Sequence, residues 1–187
     1  MKKIILFNFV CAIVLMSACK NNDPEPVNEE ELITTVVLTF TPSGGGDTKT
    51  IIYRDLTPDD TNNVAILADT LLRDKTYAMT VSLLNETLTP ANNVTDEVRK
   101  EATQHQFFFD FQPTNSISSF VYNDLDENGE PIGIQNKIIT SLNESTGTIK
   151  VTLRHQPLKL GIGVPDGDIT NAGGETDVEV SLPFVVM

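Results

Sequence analysis

The chain has 187 residues, 40% of them apolar, enough for one globular core and too many for a chain disordered throughout. It carries 13 Lys and Arg against 26 Asp and Glu, a formal charge of −13, and no basic run. A polyanion of this kind is excluded as a nucleic-acid binder, because phosphate recognition rests on clustered cations.

Residues 1–18 have the organisation of a signal peptide. Lys2 and Lys3 precede an apolar stretch from Ile4 to Met16, and Ser17 and Ala18 are small. That stretch is well short of the ~20 residues a spanning helix needs. Leu15-Met16-Ser17-Ala18-Cys19 resembles the lipobox of bacterial lipoproteins. The resemblance implies cleavage before Cys19, a diacylglycerol thioether on its sulfur and a palmitate-type chain on the new amino group. The other cysteine, Cys11, leaves with the signal, so the mature domain has no disulfide and rests on its core. Cleavage removes two lysines, and the mature charge becomes −15 (11 − 26). Anionic headgroups repel such a body, which stands off the bilayer to which its lipid holds it.

Residues 19–31 read as the lipidated cysteine and an acidic tether, with two prolines and one apolar side chain, Val27. Lys20-Asn21-Asn22-Asp23 resembles the export signal of surface lipoproteins in Bacteroidetes-type bacteria. It implies an outer-membrane protein displayed on the cell surface, the periplasmic face being the alternative.

From residue 32 to 187 the dominant period is two, and the expectation is one all-β domain. Strands are expected over 31–42 and 48–54, joined by the Gly44-Gly45-Gly46 turn, over 64–68, and over 75–85, where Tyr77, Met79, Val81 and Leu83 share a face. The lead-in from Leu71 to Tyr77 resembles the tyrosine corner of immunoglobulin-like and fibronectin-like domains. One short helix is expected over 95–105, capped by Thr95 and with Asp96 and Glu97 in its first turn. Strands follow over 106–112, 116–122, 134–142 and 148–155, then a long loop over 156–174 and a last strand over 175–187. Phe107, Phe109 and Phe111 should face one way and Phe108 the other. About eight or nine strands at these spacings predict an immunoglobulin-like or fibronectin-like β-sandwich, with a small closed β-barrel as the alternative.

Several clusters carry ligand chemistry. His105 and His155 are the only histidines, and Glu101 lies one helical turn before His105, so the three could hold a zinc-type ion. Asp124, Asp126 and Asn128 match the first half of a calcium loop, although Gln135 stands where its last acid belongs. Asp166, Asp168, Asn171, Glu175 and Asp177 form an oxygen-rich ligand loop around Gly173 and Gly174. Asp69-Thr70-Leu71 resembles a bacterial O-glycosylation motif, with Thr70 as acceptor. No G-x-S-x-G, P-loop, G-x-G-x-x-G or C-x-x-C occurs, and the chain is not expected to be an enzyme.

The stretches NEEELITTVVLTFTPSGGG, LLNETLTP, TQHQFFF, VTLRHQP and DGDITNAGGETDVEVSL resemble a group of short flavobacterial outer-membrane lipoproteins. Some members carry a type 1 periplasmic-binding label, whose α/β architecture disagrees with the period of two. The tether, the acidic loops and the missing catalytic signatures point to a lipid-anchored binding module, and the resemblance implies an outer-membrane transporter of the TonB-dependent kind as partner, with a small ligand as the other partner class. A metal-handling protein using His105 and His155, or a structural envelope component, are the alternatives.

Overall fold

A computed structural model describes residues 32–57 and 63–187; the signal peptide, Cys19 and the tether lie outside them. In chain order the strands are β1 (Thr35–Pro42), β2 (Lys49–Arg54), β3 (Ala65–Ala68), β4 (Thr76–Asn85) and β5 (Asn92–Asn93), then helix α1 (Val94–Lys100). They continue with β6 (His105–Gln112), β7 (Ile117–Tyr122), β8 (Gln135–Thr140), β9 (Ser145–His155) and β10 (Glu175–Val186). Two antiparallel sheets result. One runs β3-β2-β1-β4-β8-β7, with β5 also pairing β4, and the other runs β10-β9-β6. The sheets do not close on each other, so the fold is the expected β-sandwich with one helix and not the barrel.

The core follows from alternation. Val36, Leu38 and Phe40 of β1 and Tyr77, Met79, Val81 and Leu83 of β4 are all at most 1% exposed. They meet Phe107, Phe111, Ile149, Val151 and Leu153 from the smaller sheet. Phe40 sits edge-on to Tyr77 at 6.3 Å, and Phe111 to Phe184 at 5.1 Å. Phe108 points the other way, against Val164 and Ala172 of the 156–174 loop. The tyrosine corner forms: the Leu72 N–H donates to the Tyr77 hydroxyl at 2.9 Å.

Three local expectations change. The helix ends at Lys100, a single 3₁₀ turn follows over Ala102–Gln104, and His105 belongs to β6. Thr95 does not cap the helix, because its hydroxyl accepts from the Leu83 N–H at 2.7 Å and ties α1 to β4. Gly147, expected in a turn, lies inside β9, where a Cβ would fall 1.8 Å from the Gln112 carbonyl oxygen. Only glycine allows that approach between β9 and its neighbour.

Candidate functional site

The inner face of the smaller sheet changes character at one end. The apolar rows Phe111-Phe109-Phe107 on β6 and Ile149-Val151-Leu153 on β9 end in a cross-strand pair, His105 opposite His155. His105 Nε2 lies 3.0 Å from His155 Nδ1. β10 completes the group through a bulge between Thr176 and Val178, which makes Asp177 the extra residue. A bulge breaks the alternation and re-aims the side chain it carries. The Asp177 carboxylate thereby comes within 3.5 Å of His105 Nε2. Gly174 permits this start of β10, because a Cβ there would stand 2.2 Å from the His155 carbonyl oxygen.

The three donors are nearly dry, with His105 at 1%, His155 at 6% and the Asp177 side chain at 8% exposure. Burial, and after it the neighbouring His155, push the His105 imidazole below its usual range, so its neutral form is favoured. His105 Nδ1 lies 3.1 Å from the Glu101 carbonyl oxygen. In the neutral ring that contact places the proton on Nδ1 and leaves the Nε2 lone pair facing the cluster. Glu101 thus enters through its backbone: its side chain is exposed, and Asp177 takes the place expected for it beside the histidines.

Asp124, Asp126 and Asn128, expected as the first half of a calcium loop, sit in a tight turn before β8. Asp124 accepts from the Gly133 and Gln135 N–H groups, and burial nonetheless raises its carboxyl above the usual range. Asp126 Oδ1 accepts from the Asn128 and Glu130 N–H groups. The cation facing Asp126 is Lys159, whose Nζ donates to Oδ2 at 2.8 Å and to the Ala102 and Pro131 carbonyls at 2.6 and 3.0 Å. Burial works against ionisation of Asp126, but Lys159 and the two N–H groups outweigh it and hold the carboxyl below its ordinary range.

Lys159 is the root of the 156–174 loop, which lies over the outer face of the smaller sheet. Gln106 Nε2 donates to the Val164 carbonyl, Asn171 Nδ2 to the Ile162 carbonyl, and Asp168 accepts from the Thr170 N–H. Asp168 and Asn171 therefore fold the loop, Asp177 joins the histidines, and Asp166 and Glu175 are exposed. Among the described residues, the carboxylates of these five do not gather three together. What the loop presents is apolar: Leu158 is 68%, Leu160 83% and Ile162 87% exposed. Leu125 of the neighbouring turn is exposed too. Between the two segments lies an open cleft of about 670 Å³, lined by Thr103, Asn128, Glu130, Leu158 and Leu160. Within the expected long loop, Leu-Lys-Leu-Gly-Ile turns its lysine inward and its aliphatic side chains to water. Thr70 is exposed, beside the Leu71 bridge to β10.

No family model, curated protein or solved structure matches this chain.

Proposed function

We propose that this chain is a lipid-anchored outer-membrane binding module that docks an envelope partner through its 156–174 loop. The exposed aliphatic ridge on a rigidly backed loop carries the reading. Val164 and Ala172 are fully buried, and Lys159 commits three hydrogen bonds to fixing the loop root. A segment held so firmly yet showing Leu158, Leu160 and Ile162 to water has its apolar surface organised in advance for a contact. The partner's chemistry follows from the surroundings. Asp126 is neutralised by Lys159, but Glu127 and Glu130 flank the cleft, and the mature body carries −15. Such a surface fits an apolar groove with a basic rim and repels both a second copy and an anionic lipid surface.

The anchor is the lipobox cysteine, Cys19. Mass spectrometry of the mature N-terminal peptide is expected to find an acylated cysteine, and Cys19→Ala to release the protein from membranes. Extracellular protease on intact cells then separates surface display from the periplasmic face. For docking, cross-linked outer membranes are compared for wild type and Leu160→Asp/Ile162→Asp. A defined transporter-sized partner should be lost from the variant while its folding is kept. Equal recovery of the same partner by both proteins would overturn the reading.

A further inference from the structure

We propose that His105, His155 and Asp177 form a binding site for a divalent transition-metal ion of the zinc class, built on three adjacent strands. Its side chains are not those of the docking surface: the histidines lie on the inner face of the smaller sheet, the loop covers the outer one, and His155 and Asp177 stand near the two ends of that loop.

The donor set is the first support. Two imidazoles and a carboxylate suit zinc, and also copper(II) and nickel(II), which bind the same donors. Their donor atoms all lie within 4.8 Å of one another. Zinc–nitrogen and zinc–oxygen bonds of roughly 2.0–2.2 Å put tetrahedral donors about 3.3–3.5 Å apart. The 3.5 Å between His105 Nε2 and Asp177 Oδ2 already has that spacing. The 3.0 Å between the two imidazoles needs to open by only a few tenths of an ångström, which the side chains can supply.

The second support is the shell behind the donors. Metal-bound histidines hand their other ring nitrogen to a backbone carbonyl or carboxylate, which fixes the tautomer and aims the lone pair. His105 Nδ1 does this with the Glu101 carbonyl, at the turn that ends α1. When the ion enters, His155 moves its ring proton from Nδ1 to Nε2, and the Nδ1 lone pair replaces the hydrogen bond to His105. The charge of the protein does not change in that step. Water or an outside donor completes the coordination.

The backbone is the third support. Gly174 lets β10 begin against the His155 carbonyl, and the bulge at Asp177 breaks a strand whose alternation is otherwise continuous from Val178 to Val186. Both features bring a carboxylate to two nearly dry imidazoles at the place where an apolar row would otherwise continue.

The experiment uses tag-free mature protein, stripped with EDTA and titrated with zinc by calorimetry, with cobalt(II) absorption as a second readout. Wild type should take one equivalent, show the visible band of tetrahedral cobalt with nitrogen ligands, and melt at higher temperature with zinc. Asp177→Asn, which keeps the shape of the side chain, should weaken zinc at least tenfold and abolish the melting shift. His155→Gln should do the same. His105→Ala removes a buried ring, so circular dichroism accompanies it; if it does not fold, the two conservative variants decide. No other histidine exists in the chain to give a nitrogen-ligated cobalt spectrum. A wild type that takes up no zinc, or zinc binding that Asp177→Asn and His155→Gln leave unchanged, would overturn the site.

Discussion

Replacing Lys159 by methionine tests how the loop is held. Methionine keeps much of the stem and deletes the ammonium, so three hydrogen bonds vanish together. Asp126, whose side chain is 1% exposed, is left facing two carbonyl oxygens without a cation. Removing one partner of a buried pair costs about 3–5 kcal/mol. Asp126 retains its two backbone N–H donors, which places the loss near the lower end, about 3 kcal/mol. A domain of this size melts about 2–4 °C lower per kcal/mol, so Tm should fall by about 6–12 °C. The pH dependence has a definite sign. Asp126 has its folded pKa depressed, so its ionised partnership stabilises the fold above the ordinary carboxylate value near ~3.9 and fades as pH falls through the lower folded value. In the variant burial acts on Asp126 without the cation, so the gap in Tm between wild type and Lys159→Met should be widest near neutral pH and narrow as the medium becomes acidic. Limited proteolysis should cut the variant between residues 158 and 162 and spare the wild type. Asp126→Asn combined with Lys159→Met, which removes both charges and keeps an oxygen for the Asn128 and Glu130 N–H groups, should recover part of the loss. A Tm within 1 °C of wild type for Lys159→Met, with the loop still protected, would refute the reasoning.

Three further outcomes follow from the packing. Tyr77→Phe removes the acceptor of the Leu72 N–H and should cost about 1–2 kcal/mol by chemical denaturation, with the core otherwise intact; an unchanged midpoint would show the corner to be idle. Gly147→Ala places a Cβ on the Gln112 carbonyl and should destabilise strongly, seen as loss of soluble protein or a large fall in Tm; tolerance would contradict the strand spacing there. Phe108→Ala empties the small cluster under the loop and should cost about 3–5 kcal/mol, with faster amide exchange in residues 160–172 than in β1 or β4.

The regular part of this fold was readable because alternation is a local signal. Tyr77, Met79, Val81 and Leu83 face one way in the sequence and are buried together. The split of Phe108 from its neighbours was equally plain. What escaped reading is set by tertiary contact. Thr95 is a good helix cap by type, but a strand backbone competes for its hydroxyl and wins. The two-residue β5 is too short to leave a period. At the histidine pair both imidazoles are legible together, and Asp177 only as part of the loop beyond them, since nothing in Glu-Thr-Asp-Val-Glu-Val announces a bulge. Helical spacing places Glu101 beside His105, but the helix stops one residue before it. Lys159 was invisible for a related reason: a lysine between two leucines reads as the solvent side, and only the carboxylate and carbonyls of distant segments turn it inward.

The docking surface is tested most directly by a photo-activated cross-linking amino acid at position 160 in the full-length lipoprotein, illuminated in intact cells. One discrete adduct of defined mass is expected, abolished when Leu158 and Ile162 are changed to aspartate and absent when the probe is placed at Leu142, which is also exposed. No adduct at 160, or the same adducts from both positions, would contradict it.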